Sequence, residues 1–158
     1  MTADAPLLTP AALRYFLAGV PPGADVAAAV ASGDAVRRRF PESRRTFLRF
    51  RDGDVSGCNL FLIQTPAGRH AVEFWQRLEA HRKRPLVMAA LVGPAVILSY
   101  GLRRLTQAGA MRQLKRRTGA TGALVTIPYP EAAVDVDKPA DLALAEAVLA
   151  ERAAASGG

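Results

Sequence analysis

Carboxylates in two short segments, far apart in the chain, hold most of the chemical potential of this sequence. Asp4 stands in Thr2-Ala3-Asp4-Ala5-Pro6-Leu7-Leu8-Thr9-Pro10. Asp135 and Asp137 stand in Val134-Asp135-Val136-Asp137-Lys138-Pro139-Ala140-Asp141-Leu142. Pro6 biases Ala5 towards extended backbone, so Asp4 is expected in a stiff loop just ahead of a helix. The second segment reads as a strand running out into a helix start, and alternation then puts Asp135 and Asp137 on one side. Magnesium takes hard oxygen ligands, usually one or two carboxylates with water and substrate phosphates. In open α/β sheets ligands gather outside the carboxyl ends of strands, where both loops are expected. Structural roles compete with this: Asp137 as the cap of the last helix, Asp141 as a partner of its dipole, Asp4 as a turn residue.

The elements that must position these loops follow from pattern. Thr9-Pro10 opens a helix with a stripe of Leu13, Phe16 and Leu17, ended by Gly19 and Pro21-Pro22. Ala24 to Val30 reads as a short buried strand, followed by a basic helical turn from Ala35 to Arg39. Thr46 to Phe50 and Gly57 to Ile63 predict a β-hairpin around Arg51-Asp52-Gly53-Asp54. Thr65-Pro66 repeats the threonine cap and proline, opening a helix to about His81 with Val72, Trp75 and Leu78 along one face. Pro85 to Leu102 is almost uncharged and lies between Arg82-Lys83-Arg84 and Arg103-Arg104. Its length approaches a membrane span, but Gly93-Pro94 breaks it. The reading is two short buried helices meeting at that break, with membrane insertion or membrane-surface association as the alternatives. A helix over about Ala108 to Arg117, a strand over Ala123 to Ile127, a further strand over Ala132 to Val136 and an amphipathic helix over Pro139 to Arg152 complete the chain. Residues 153–158 are expected to be a disordered tail.

Half of the 158 residues are hydrophobic, which supports a real core and argues against wholesale disorder. The net charge of +7 favours anionic partners such as nucleotides, phosphorylated substrates, nucleic acid or anionic lipid. Cys58 is the single cysteine, which excludes an internal disulfide and fits a reducing compartment. No basic and then apolar leader follows Met1, so a cytoplasmic location is expected. His70 and His81 read as surface residues. Cys58 has no activating neighbour in sequence, so no nucleophile is proposed.

The same segments resemble a known family. TADAPLLTP is similar to the motif ending a central strand in GT-A fold nucleotidyltransferases of the MobA-like NTP transferase type, where an aspartate followed by proline binds metal. VDVDKPADLALAE resembles the "DVDTPEDL" run near the end of that superfamily's domain. Ser56-Gly57-Cys58-Asn59-Leu60-Phe61 resembles the "SGxNLF" strand start bordering the acceptor pocket of one branch. Pro41-Glu42, Thr46 to Phe50 and Arg82-Lys83-Arg84-Pro85 also look like that branch, so the likeness covers nearly the whole chain. It implies an α/β, three-layer GT-A fold over residues 1–152, incomplete at its N-terminus. The family's "LAGGxxxR" phosphate loop has no counterpart in this sequence.

The resemblance further implies that Asp4 and Asp137 hold a catalytic Mg2+, with Asp135 supporting from behind. Gly57 and Asn59 would shape the acceptor side, and Arg49, Arg82, Lys83 and Arg84 are candidates for substrate phosphates. The implied reaction joins an NTP to a phosphorylated small-molecule acceptor and releases pyrophosphate, with the fragment alone inactive. The alternative is a non-catalytic module for a phosphorylated ligand or a partner protein. No recognition helix, RNA-binding signature or zinc finger points to specific nucleic acid. Homo-oligomers are common enough for one to be expected.

Overall fold

A computed structural model of the chain describes residues 5–42, 45–81 and 83–156. Four strands form one mixed sheet in the order β2-β3-β1-β4. Strands β1 (Val26–Ser32) and β4 (Gly122–Thr126) are parallel, while β1 and β3 (Gly53–Ile63) are antiparallel. Strand β2 (Leu48–Phe50) pairs with the start of β3, with Phe50 opposite Gly53, so the expected hairpin closes through Arg51 and Asp52. Seven α-helices surround the sheet among the described residues: α1 (Pro10–Gly19), α2 (Gly33–Arg39), α3 (Pro66–Ala80), α4 (Pro85–Val92), α5 (Pro94–Gly101), α6 (Gln107–Thr118) and α7 (Pro139–Ser156).

Alternation along the strands sorts side chains into two layers of core. On one face Ala27, Ala29, Ala31, Cys58 and Leu60 pack with Phe16 of α1, Val36 of α2, and Ala145 and Val148 of α7. On the other, Val30, Phe50 and Val55 meet Leu105, just before α6, and Ala110 of α6. The small alanines of β1, which weaken its strand propensity, let the helices approach the sheet closely. The sheet is covered on both sides, a mixed α/β architecture in three layers.

Several elements differ from expectation for identifiable reasons. Thr9 caps α1 as expected, accepting from the Ala12 amide at 3.2 Å. Thr65 does not cap α3 with its side chain; its hydroxyl donates to the Asp25 carboxylate at 2.5 Å, and this charge-assisted bond sets the side chain's orientation. The strand expected over Ala132 to Val136 is absent. Pro130–Ala133 is a single 3-10 turn, and Ala132, Ala133 and Val134 are buried in the larger core. The last helix continues to Ser156, so residues 153–156, expected as tail, are helical. Gly157 and Gly158 lie outside the described residues.

The long apolar run forms two helices meeting at Gly93, whose φ of 108° suits glycine. Their expected burial is corrected: among the described side chains of α4 and α5 none is buried, and Leu86 and Leu98 are 85% and 63% exposed. The pair leans on the short edge strand and on α6, too small a surface to enclose it. Tyr100 makes an edge-to-face contact with Phe50 and accepts a hydrogen bond from the Arg49 amide, and Gln113 donates to the Val92 carbonyl. No helix among the described residues is long and apolar enough to cross a membrane.

Candidate functional site

The segment leaving β4 crosses one face of the sheet through the Pro130–Ala133 turn and meets β3 at Asn59. There the pairing of β1 and β3 slips, from Ala28 opposite Phe61 to Val30 opposite Gly57. Asn59 occupies this bulge with a left-handed φ of 51°, a conformation that asparagine tolerates better than most residues. Its side-chain amide donates to the Asp135 carboxylate at 2.5 Å, joining positions 76 residues apart.

Arg45 completes the junction. One guanidinium nitrogen lies 3.6 Å from the Asp135 carboxylate, and the other lies 3.7 Å from that of Asp141 and donates to the Asp135 carbonyl at 2.9 Å. The side chains of Arg45, Asp135 and Asp141 are only 10%, 26% and 13% exposed. Solvent screening is weak at that burial, and the two carboxylates share a single cation. Cys58 lies fully buried beside them. Burial, and then the Asp135 charge, push its thiol up to about 12, which rules out a thiolate nucleophile at neutral pH.

Asp137 is placed differently. Helix α7 begins after Lys138, whose carbonyl accepts from the Asp141 and Leu142 amides. The Asp141 carboxylate reaches back to the Asp137 amide at 3.4 Å. Asp137 is therefore not the helix cap, and its carboxylate is exposed without a partner among the described residues. Asp135 and Asp137 thus do not act as a pair: one is spent on Asn59 and Arg45, and the other is open. An open carboxylate fits the single hard oxygen donor a protein commonly offers magnesium. Among the described residues no three acidic, histidine or cysteine side chains converge.

Asp4 and Arg82 lie outside the described residues. The loop after Asp4 returns to α7, where Arg152 donates to the Leu7 carbonyl at 3.0 Å, and Leu7 and Val134 share one core. Gly57 is exposed, and a Cβ there would meet open space. Arg49 is exposed on the edge strand opposite Asp54. Lys83 and Arg84 are exposed at the start of α4. None of these three cations makes an ion pair with the Asn59 cluster. Beside that cluster an open groove of about 470 Å3 runs between Phe40, Pro41 and Glu42 on one side and Lys138, Asp141 and Leu144 on the other.

Sequence reasoning missed Arg45, which sits in a run of arginines with nothing to single it out. It also missed Asp25, whose carboxylate accepts from the Thr65 hydroxyl and, at 2.7 Å, from the Thr121 amide. Asp25 lies at the amino ends of the parallel pair β1 and β4, opposite to the ends from which the candidate segment emerges.

No family model and no curated protein matches this sequence. Among solved structures, the chain is similar to a hypothetical transferase from Thermus thermophilus, with a TM-score of 0.77 and 39% identity over 88% of this chain. It spans about 60% of the length of that protein. Taken with the sheet and its two helical layers, this likeness gives the chain a transferase-like α/β fold.

Proposed function

We propose that this chain is the acceptor-side part of a magnesium-dependent nucleotidyltransferase of the GT-A, MobA-like kind. The observation that carries the reading is the bond from Asn59 to Asp135, which joins the SGCNLF and VDVDKPADL segments at one place. Each segment alone resembles a transferase motif only weakly, and a random pair would have no reason to meet. The likeness to a hypothetical transferase supports the same reading at the level of reaction class.

In this reading a phosphate oxygen of the acceptor bonds to the α-phosphorus of an NTP, and the bond to the departing pyrophosphate breaks. When bound, magnesium supplies neutralisation of the charge that develops on the phosphates. Asp137 offers it an open carboxylate, and Asp4 is the second ligand implied by resemblance. Asp135 holds Asn59 and is itself held by Arg45, which fixes the backbone leading to Asp137. Gly57 presents no side chain next to Asn59, leaving room for the acceptor. Arg49, Lys83 and Arg84 contribute positive potential rather than direct contacts.

The test uses the longest natural polypeptide containing this chain. Pyrophosphate release from an NTP and phosphorylated acceptors is expected to require Mg2+ and to fall at least about a hundredfold in Asp137→Ala, in line with loss of electrostatic stabilisation at the reacting phosphates. Undiminished release in that variant would remove Asp137 from the mechanism and the proposal with it.

A further inference from the structure

We propose that the helix pair α4–α5 is a docking surface for an anionic lipid bilayer, lying in the headgroup layer without crossing it. Every exposed residue that the structure describes from 86 to 102 is Leu, Ala, Pro or Gly: Leu86, Ala90, Pro94, Ala95, Leu98, Gly101 and Leu102. Leu102, which ends α5, lies one turn beyond Leu98, to whose carbonyl its amide donates, and is 56% exposed. A helix facing water carries polar side chains on its outer side, and this pair carries none. Its inner side is already used, against Phe50 and Arg49 of the edge strand and Gln113 of α6.

Charge selects the occupant. Lys83 and Arg84 stand exposed at one end of the pair, and Arg103 and Arg104 at the other. All 14 acidic residues of the chain lie outside residues 80–130, whereas nine of its 21 lysines and arginines lie within them. The stretch that carries this apolar face is therefore strongly net positive, with Asp52 of the hairpin, which accepts from the Gln107 amide, as a neighbouring acid. An anionic bilayer satisfies both features at once, accepting leucines at the acyl boundary and cations at the headgroups. A second copy related by twofold symmetry does so less well, because it brings the same net-positive rim against itself. Neither helix is long enough to span, so the association is peripheral.

The test is sedimentation of the purified chain with phosphatidylglycerol-containing vesicles and with pure phosphatidylcholine vesicles, at low and high salt. Binding is expected to the anionic vesicles alone and to fall steeply with salt. Arg103→Glu with Arg104→Glu is expected to weaken it about fivefold or more for each cation removed. Leu86→Glu with Leu98→Glu is expected to weaken it about tenfold or more by losing apolar insertion. Both leucines are exposed, so circular dichroism should show an unchanged fold. Failure to bind anionic vesicles at low salt overturns the proposal. So does binding that ignores the leucine changes, which marks unspecific adsorption of a basic protein. A concentration-dependent dimer that Leu98→Glu dissolves, without vesicle binding, assigns the face to a second copy instead.

Discussion

Arg45 is the residue on which the candidate site depends most for its shape. It lies between the Asp135 and Asp141 carboxylates, and all three side chains are largely shielded from water. Removing the cation leaves two partly buried carboxylates facing each other, so the loss is dominated by what remains unpaired. Arg45→Met keeps the length of the stem and removes the charge. It is expected to cost about 1–3 kcal/mol of stability by urea unfolding. Adding Asp135→Asn should recover part of that cost, because the second charge is gone. A double variant as unstable as the sum of the two single changes would show that Arg45 does not act through the charge of Asp135. The sequence made half of this cluster legible. Asn59 and Asp135 stand out by resemblance, and Asp137 by its place before a proline-initiated helix. Arg45 is illegible because Arg44 and Arg45 are the same residue type in sequence, and it is the fold that turns Arg45 towards two aspartates.

At the scale of elements, punctuation by proline and glycine predicted the boundaries well. Every α-helix placed after a Thr-Pro or Gly-Pro signal starts there, at Pro10, Pro66 and Pro94. What pattern alone misjudged was burial, since an apolar run reads the same whether a partner covers it or not. The Ala132 to Val136 strand failed for a related reason: its small buried residues suit a core strand and a packed turn equally. Glycine contacts make the helix packing testable. A Cβ on Gly68 would lie 2.4 Å from the Asp25 carbonyl oxygen and 3.0 Å from Ile63, at the point where α3 docks on the start of β1. Gly68→Ala must therefore push the helix off the sheet, and a cost of about 1–3 kcal/mol is expected from overpacking. Gly57→Ala meets open space, so its stability should change by no more than about 0.5 kcal/mol. The contrast separates the two glycines. If Gly57→Ala destabilises as much as Gly68→Ala, then Gly57 is a packing residue and its place beside the acceptor loses its support.

At the scale of the whole molecule, the parallel strands are pinned at their amino ends by one carboxylate. Asp25 accepts from the Thr65 hydroxyl and from the Thr121 amide, while its own amide donates to the Thr121 carbonyl and its carbonyl accepts from the Gln64 amide. It thus ties β1, the approach to β4 and the start of α3 at one point. The Thr65 bond first, then the Thr121 bond, hold its pKa below the ordinary 3.8. A carboxyl group lowered on folding adds stability above its unfolded pKa, and that stability is lost as the pH falls through the lowered value. The acid limb of unfolding should therefore contain a step below about pH 3.8 that belongs to this residue. In Asp25→Asn the step is absent, because the amide does not titrate and one of its two positions faces a donor with another donor. Melting temperatures measured from neutral pH downwards should show the variant less stable at neutral pH, with the gap to the unaltered chain narrowing as acid protonates Asp25. A gap of constant size at every pH would mean that the charge on Asp25 contributes nothing and that only its shape is used. Because this knot lies at the opposite strand ends from the Asn59–Asp135 segment, the variant should leave Mg2+ dependence at Asp137 unchanged. That separates the pH response of the fold from the chemistry of the candidate site.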